Sequence, residues 1–329
     1  MEIVYFKRNK VLGFSIEKVF IPVIHELAKK NSVREFNLPY YKFSLLCIIK
    51  NLLFVYKKRS RFGINHITGD IHYAIFALVG CKSVLTIHDL VMLKNTKNRI
   101  FYWIEYLFNV YFPVKLATQV VCISEATKED LLKYVKCKNI IVVNNPIGYE
   151  FKPSPQARIN TKPVLLQIGT GWNKNLTLLI EALKQKDCIL YIVGDLSSEN
   201  KLKLFDCKIN YRNFTDLSDE EVVEIYKVSD IVCFVSIFEG FGMPVIEANA
   251  IGRAVITSNI SPLTEIGGTA ALYVDPYDVD SISRGIDTLL HDFQRNFDLI
   301  NNGFDNVKKY NPTIISSKYQ SVYDSLYIL

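Results

Sequence analysis

Residues 231–250 read IVCFVSIFEGFGMPVIEANA, and this stretch decides the fold class of the chain. Its first part, 231–235, is a short apolar run rich in β-branched residues, which predicts a buried strand. Residues 243–250 have the pattern of a helix, and a glycine-rich loop separates the two segments. A strand that passes through a short loop into a helix is the unit from which parallel sheets are built.

The same alternation of short apolar runs and helical patterns recurs along the chain. Strands are predicted at 2–6, 64–67, 83–87, 119–123, 140–143, 164–168, 189–193, 254–257 and 271–274. Helices are predicted at 15–30, 127–134, 176–184 and 219–228. Ser124 and Ser218 stand where helix N-caps are expected, because serine side chains accept hydrogen bonds from the first turn. Alternating strands and helices favour an α/β fold with parallel sheets that are covered on both faces.

A cluster of structure-breaking residues divides this alternation into two sets. Residues 144–148 read NNPIG and residues 152–155 read KPSP, and a second αβ set starts at Val164. We therefore expect two doubly wound, Rossmann-like domains, 1–148 and 149–311, with a hinge near 146–160. A C-terminal helix at about 312–329 is expected to pack back on the first domain. Ligands bind beyond the carboxyl ends of such strands, so the two domains are expected to face a central cleft that holds the site.

The composition excludes several classes of protein. The chain has 329 residues, of which 49% are hydrophobic and 22% charged, which is an ordinary globular balance and not that of a disordered or disulfide-knot protein. No apolar run reaches 18 residues, and residues 1–10 lack a signal-peptide pattern, so neither a transmembrane helix nor a secretory leader is predicted. The seven cysteines are scattered without a CxxC pair, and the histidines lack metal-ligand spacing. We expect free thiols in a reducing compartment and no metal site.

Positive charge is concentrated near the N-terminus. Residues 1–61 contain 13 Lys and Arg against 4 Asp and Glu, whereas the net charge of the whole chain is +6. The apolar run 45–56 is followed directly by the cluster KKRSR at 57–61. Two interpretations stay open: a surface for an anionic membrane, or a buried helix with a solvated basic end. The aromatic stretch 101–112 likewise predicts either core packing or an exposed groove or interface. No nucleic-acid motif accompanies the charge, so no nucleic-acid partner is expected.

The loop of residues 236–248 carries the clearest chemistry. Gly240, Phe241, Gly242 and Met243 can expose backbone N–H groups at a helix N-terminus, which suits a phosphate group. Glu239 and Glu247 stand on either side of this loop, where their carboxylates can accept hydrogen bonds from sugar hydroxyls. The alternative is a structural turn with solvated acids.

Here the sequence resembles a known family. Residues 238–250 and 258–275 resemble the retaining nucleotide-sugar glycosyltransferases of family 4, which have the GT-B fold. Residues 169–176 (GTGWNKNL) look like the family's phosphate loop, and 213–230 like the segment that leads to its base pocket. In the first half the resemblance is weaker and is carried by TIHD at 86–89, CISEA at 122–126 and HITGD at 66–70.

The resemblance implies a role for each matching residue on the donor side. Glu247 would bind the ribose of the nucleotide. Glu239 would hold the transferred sugar and its phosphate, together with the amides of Phe241, Gly242 and Met243. Lys174 matches the family lysine that neutralises the diphosphate. A cation there has a physical reason, because the departing diphosphate develops negative charge in the transition state.

Three further positions follow from the resemblance or depart from it. His88 matches the family histidine that approaches the sugar from the first domain, and Gly13 is the small residue that would let the donor approach. Many members carry an arginine where Thr170 stands, and a threonine hydroxyl supplies no charge. The double glycine common in the first loop of the family is also incomplete here.

The resemblance thus implies sugar transfer from a nucleotide-sugar donor to a saccharide or lipid-linked acceptor, with retained anomeric configuration and in cell-surface polysaccharide synthesis. No cofactor or metal is expected, because Asp278-Val279-Asp280 lies where a helix begins and Asp280 is better explained as a cap. A cytoplasmic enzyme that contacts the inner face of the plasma membrane is expected. The alternative is a catalytically silent nucleotide-sugar-binding or scaffold protein of the same fold. A Rossmann oxidoreductase is excluded, because no G-x-G-x-x-G follows the first strand.

Overall fold

The computed structural model describes residues 1–9, 15–42, 44–95, 98–154 and 160–328. Its contacts divide the chain into two compact units, one of Met1–Pro146 with Asn311–Leu329 and the other of Ile147–Tyr310. Gly13, expected near the donor, lies outside the described residues.

The first unit is built on a six-stranded parallel sheet. Its strands are β1 (Glu2–Lys7), β2 (Ser32–Asn37), β3 (Ile64–Ile67), β4 (Ser83–Ile87), β5 (Gln119–Cys122) and β6 (Ile140–Val142), in the order β2-β1-β3-β4-β5-β6. Its helices are α1 (Ser15–Ala28), α2 (Leu45–Lys58), α3 (Val91–Asn95), α4 (Arg99–Glu105), α5 (Phe112–Leu116) and α6 (Glu125–Tyr134). A 3-10 segment covers His72–Leu78, and a π-helical segment, Tyr106–Tyr111, joins α4 to α5.

The second unit repeats this plan. Its strands are β7 (Val164–Ile168), β8 (Ile189–Val193), β9 (Tyr211–Phe214), β10 (Ile231–Phe234), β11 (Ala254–Ser258) and β12 (Leu272–Val274), in the order β12-β11-β10-β7-β8-β9. Its helices are α7 (Leu176–Ala182), α8 (Ser198–Asp206), α9 (Asp219–Val228), α10 (Met243–Ile251), α11 (Leu263–Gly267), α12 (Val279–His291) and α13 (Phe293–Val307). All strand pairs in both sheets are parallel. The predicted α/β class with two doubly wound sheets is confirmed.

Helix α14 (Pro312–Ile328) returns the end of the chain to the first unit, where it packs on α1. The hydroxyl of Tyr323 lies 2.7 Å from Nδ1 of His66 on β3 and 2.9 Å from the hydroxyl of Tyr5 on β1. All three side chains are fully buried, so this helix closes the core of the first unit through polar contacts as well as apolar ones.

Local sequence signals account for several helix ends. Ser124 and Ser218 are N-caps, as predicted, and Ser218 forms a capping box with Glu221 at the start of α9. At α12 the expected cap is wrong by two residues: Asp278 is the N-cap and accepts a hydrogen bond from the N–H of Asp280. Within the described ranges, no helix combines the length and apolarity needed to cross a bilayer.

Candidate functional site

The predicted donor residues of the second unit gather at the carboxyl ends of β7 and β10. These strands are neighbours, with Leu165 paired to Ile231 and Leu166 to Val232. From β7 the chain continues to β8 on one side, while β10 lies on the other, so the strand order reverses between them. A reversal of strand order parts the loops at the sheet edge and leaves space for a ligand.

The loop after β7 carries Lys174 and is held by a buried glutamine. Nε2 of Gln167 donates to the carbonyl oxygens of Gly169 at 3.1 Å and of Lys174 at 3.2 Å. A Cβ at Gly169 would lie 3.2 Å from Cγ and Cε of Lys174. Glycine at this position therefore lets the aliphatic part of the lysine lie against the loop, and the ammonium group reaches across to the loop after β10.

Lys174 and Glu239 form an ion pair between the two loops. Nζ of Lys174 lies 2.6 Å from Oε1 of Glu239, and the side chains are 23% and 11% exposed. The same ammonium lies 4.7 Å from the ring centroid of Phe234, at the end of β10. In such a partly buried position, solvent and salt screen the pair less than they screen a surface pair. Removing one of the two charges would therefore leave the other without compensation.

Asn173 ties the same two loops together. The side-chain Nδ2 of Asn173 donates to the backbone carbonyl of Phe238 at 2.9 Å and lies 3.4 Å from Oε1 of Glu239. The backbone carbonyl of Asn173 accepts a hydrogen bond from the N–H of Ile237 at 2.8 Å. The carboxylate of Glu239 is thus oriented by two neighbouring residues of one loop. Asn173 lies within the 169–176 segment, but no local pattern indicates its role, because its partners are some 65 positions away in the chain.

The glycine loop delivers backbone amides to the N-terminus of α10. Gly242 is the N-cap, with a φ of +109°, and a Cβ there would lie 2.5 Å from Cδ2 of Leu263. Within the described part of the chain, the N–H groups of Phe241, Gly242 and Met243 donate to no protein acceptor. The Phe241 side chain is buried edge-on against Tyr310, at 5.7 Å between ring centroids. A fixed set of amides without acceptors at a helix N-terminus is suited to an anion.

Glu247 lies in the second turn of α10 and is oriented by Tyr226 of α9. The buried Tyr226 hydroxyl donates to Oε2 of Glu247 at 2.6 Å. Burial, and then the charge of Glu247, hold the pKa of Tyr226 well above its usual value, so the hydroxyl keeps its proton. Tyr226 was not singled out by the sequence, although it lies inside the 213–230 segment.

Thr170, at the position where an arginine is common, has its hydroxyl engaged within the loop. Its Oγ1 donates to the carbonyl of Asp195 at 2.6 Å. The one hydrogen bond that this side chain can donate is therefore given to the protein. Lys174 and the amides of 241–243 retain donors that can bind a phosphate.

His88 follows β4 in the first unit and is buried. Its Nε2 lies 2.7 Å from the carbonyl of Thr68, and since a carbonyl only accepts, Nε2 carries the proton. Burial lowers the pKa of His88, which outweighs the opposing effects of Asp70, the Thr68 carbonyl and Asp89. The imidazole is therefore neutral, and its lone pair is on Nδ1.

An ion-pair network that the sequence did not reveal lies near His88. Nε of Arg8 lies 3.0 Å from Oε1 of Glu17, and its Nη1 lies 3.0 Å from Oδ2 of Asp70. Burial raises the pKa of Asp89, which follows His88 directly in the chain, and the charge of Asp70 adds to this. Two acids, Asp70 and Asp89, thus lie close to the neutral histidine where β3 and β4 end.

No group of three or more His, Cys, Asp or Glu side chains close enough to bind a metal ion is found among the residues that the structure describes. The cysteines described there are all free thiols.

Comparison with known proteins identifies both halves of the chain. The family model for Glycosyltransferase Family 4 matches residues 22–151, and the model for Glycosyl transferases group 1 matches residues 149–305. Among curated relatives, O-antigen chain mannosyltransferase B of Escherichia coli is 23% identical over 238 residues, 64% of this chain and 62% of that protein. The chain therefore spans less than two thirds of the length of this relative.

A second relative from Escherichia coli, UDP-Gal:alpha-D-GlcNAc-diphosphoundecaprenol alpha-1,3-galactosyltransferase, is 27% identical over 272 residues, 70% of this chain and 67% of that protein. Among solved structures, Anabaena Alr3699/HepE in complex with UDP and glucose superposes with a TM-score of 0.80 at 15% identity, over 99% of this chain and all of that one. At this level of identity the likeness shows the fold, which is GT-B.

Proposed function

The chain belongs to the group 1 glycosyl transferases of family 4, and from this premise we propose that it transfers a sugar from a nucleotide-sugar donor to a hydroxyl of a saccharide acceptor. The observation that carries the proposal is the Lys174–Glu239 ion pair beside the unpaired amides of 241–243. One half of this arrangement is suited to a diphosphate and the other to sugar hydroxyls.

The leaving group would be stabilised by charge and by oriented dipoles. The diphosphate would receive hydrogen bonds from the amides of Phe241, Gly242 and Met243 and from the N-terminus of α10. An ammonium group has three N–H donors, so Lys174 can keep its bond to Glu239 and still donate to a phosphate oxygen. These groups are in place before negative charge develops, and preorganised donors of this kind lower the barrier to departure. No metal is needed for this, and we propose a metal-independent reaction.

Glu239 and Glu247 would fix the donor on either side of the diphosphate. The carboxylate of Glu239, oriented by Asn173 and Lys174, would accept hydrogen bonds from hydroxyls of the transferred sugar. Glu247, oriented by Tyr226, would accept from the ribose hydroxyls. His88, neutral and with its lone pair on Nδ1, would accept a hydrogen bond from a sugar hydroxyl.

Transfer is proposed to retain the anomeric configuration. The bond between the anomeric carbon and the diphosphate oxygen breaks, and the acceptor oxygen bonds to the same face of the sugar. The acceptor proton passes to an oxygen of the departing diphosphate. The transition state is oxocarbenium-like, as in other glycosyl chemistry, and exclusion of water from the donor site would limit hydrolysis of the donor.

A lipid-linked saccharide is the proposed acceptor, in the synthesis of a cell-surface polysaccharide. Two facts support this: the galactosyltransferase relative acts on a diphosphoundecaprenol substrate by its name, and residues 1–61 carry a surplus of nine positive charges. The relatives transfer mannose in one case and galactose in the other, so the donor sugar must be found by experiment.

A panel of nucleotide sugars tests the proposal in two steps. A donor that binds only the folded protein should raise its melting temperature, with the matching nucleoside diphosphate as a second ligand. The donor so found is then incubated with saccharide acceptors, nucleoside diphosphate release is measured with and without EDTA, and the anomer of the product is assigned by NMR. Binding without release would favour the silent binding protein instead. If no nucleotide sugar raises the melting temperature, the proposed function is wrong.

A further inference from the structure

Helix α2 is apolar on two sides: Ile48, Leu52 and Val55 belong to or pack against the core, and a second apolar face is exposed. Only Asn51 and Val55 are buried on this helix. The exposed apolar side chains are Leu45, Leu46, Ile49, Leu53 and Tyr56, with exposed fractions of 76, 62, 45, 55 and 51%. At 3.6 residues per turn these five side chains fall within an arc of about 100°, on the side of the helix opposite Asn51 and Val55. Amphipathic helices of globular domains normally place such a stripe against the core.

The aromatic segment 99–116 likewise exposes a set of apolar side chains in addition to those that it packs on the core. The exposed apolar side chains of this segment are Ile100, Phe101, Trp103, Ile104, Phe108, Phe112 and Leu116. Five of them recur at every fourth position from Ile100 onward. A π-helical turn holds more residues than an α-helical one, so the π-segment Tyr106–Tyr111 keeps this four-residue spacing closer to a straight line than a continuous α-helix would. Core packing, one of the two interpretations of the stretch 101–112, holds for Tyr102, Tyr106 and Tyr111 and is wrong for the exposed side chains of that stretch.

Both helices pack against the 3-10 segment His72–Leu78. Nδ2 of Asn51 on α2 donates to the Tyr73 hydroxyl at 2.9 Å, and the Phe76 ring lies 5.9 Å from that of Phe108. The two elements that carry the exposed stripes therefore pack against one segment of the first unit. We call the exposed apolar side chains of α2 and of 99–116 together the two-helix face.

Cations without acids accompany this face. Between Phe36 and Gly69 the sequence has six Lys and Arg residues and no Asp or Glu. They are Lys42, Lys50, Lys57, Lys58, Arg59 and Arg61. Lys50 and Lys57 border the apolar arc of α2, about 20–40° beyond its edge. In the described ranges, none of the last five cations is within ion-pair distance of a carboxylate.

We propose that the two-helix face binds the surface of an anionic lipid bilayer. Apolar and aromatic side chains would enter the boundary between headgroups and acyl chains, and the bordering cations would contact lipid phosphates. Neither helix is long enough to span a bilayer, so both lie in its plane. A second copy of the chain is a poor occupant, because a twofold contact would bring the same cations face to face. The proposal rests on the proposed function only in that a lipid-linked acceptor gives this surface a purpose.

Sedimentation of the full chain with vesicles tests this surface without donor or acceptor. Vesicles of phosphatidylcholine alone are compared with vesicles that contain about 30% phosphatidylglycerol. We expect at least tenfold stronger partitioning onto the anionic vesicles, weakening as salt rises because surface charges are screened. L46S/I49S/L53S and I104S/F108S should each lose about tenfold or more on anionic vesicles. K57Q/R61Q should lose a similar factor and become less sensitive to salt.

The controls distinguish vesicle binding by the two-helix face from nonspecific adsorption of exposed apolar side chains and from binding at the donor site. L202S/F205S removes two exposed apolar side chains of α8, 62% and 79% exposed, and should bind vesicles as the wild type does. Trp103 and Trp172 are the two tryptophans of the chain, so in W172F a blue shift of the emission on adding anionic vesicles reports insertion of 99–116. The face variants should keep any donor-induced rise in melting temperature, which tests the proposed function separately.

Three results would overturn the proposal. One is equal or absent partitioning on anionic and neutral vesicles. Another is wild-type binding by L46S/I49S/L53S and I104S/F108S. The third is a concentration-dependent dimer that the face variants abolish, without vesicle binding, since the face would then be an interface between copies.

Discussion

Nζ of Lys174 lies 2.6 Å from Oε1 of Glu239, and the two residues belong to loops that follow neighbouring strands. The contact fixes a cation and an anion side by side beside the start of α10. This is what a nucleotide sugar requires, because its diphosphate is anionic and its sugar presents hydroxyl donors. In the proposed donor complex, the ion pair would lie between the diphosphate and the transferred sugar.

Removing either member of this pair should reduce transfer strongly. K174A removes the cation that is proposed to balance the departing diphosphate, and E239Q keeps the shape of the side chain but removes its charge. We expect each to lower kcat by about 10²–10³-fold, the usual effect of losing one preorganised group. Steady-state rates of nucleoside diphosphate release measure this. K201A removes an exposed lysine of α8 and should leave the rate unchanged, whereas near-wild-type rates in K174A or E239Q would show that the site is misassigned.

Tyr226 is expected to act through Glu247 and not on the reacting atoms. Y226F leaves the Glu247 carboxylate without its buried hydroxyl donor, so the donor nucleotide should bind more weakly. We expect KM for the donor to rise about three- to tenfold with little change in kcat. Tyr191→Phe is the matched control, because within the described residues the Tyr191 hydroxyl has no hydrogen-bond partner. A fall in kcat with unchanged KM would contradict a positioning role.

Gly242 is expected to tolerate no side chain. G242A places an L-residue at a φ of +109° and brings its Cβ to 2.5 Å from Leu263. G80A is the control, because Gly80 also has a positive φ of +80° but no atom within 4 Å of a Cβ. The backbone conformation alone should cost about 1–2 kcal/mol, which is what G80A should lose. G242A should lose more folding stability than G80A, as measured by urea unfolding. It should also lose the donor-induced rise in melting temperature. Equal losses in the two variants would contradict the proposed fit of the loop.

The sequence predicts the buried parts of both sheets well, because central parallel strands are continuous apolar runs. It fails at β2 and β9, which are edge strands with the polar sequences SVREFN and YRNF. An edge strand is half solvated and needs no apolar run, so its pairing depends on the neighbouring strand. Tertiary pairing decides these two strands, and no local pattern marks them.

The candidate site shows the same division. The glycine loop and the acids beside it follow from local sequence, because a glycine-rich loop before a helix has a direct chemical meaning. The roles of Asn173 and Tyr226 do not, because each depends on a partner from another element. Orientation of a site by neighbouring side chains is therefore seen only in the folded chain.

His66 should make the first unit sensitive to acid. It is fully buried between Tyr323 and Thr86, and burial, with a smaller effect of His88, lowers its pKa from 6.5 to about 3. Above pH 6.5 both the folded and unfolded states are neutral at this residue. Below it the unfolded state binds a proton that the folded state does not, so the free energy of unfolding falls by up to about 1.4 kcal/mol per pH unit until about pH 3. The free energy of unfolding, measured in urea between pH 7 and 4.5, should change less steeply with pH in H66Q than in the wild type. The difference in slope should correspond to the uptake of about one proton on unfolding. H291Q controls for the loss of an exposed imidazole, and equal slopes in H66Q and the wild type would contradict the assignment.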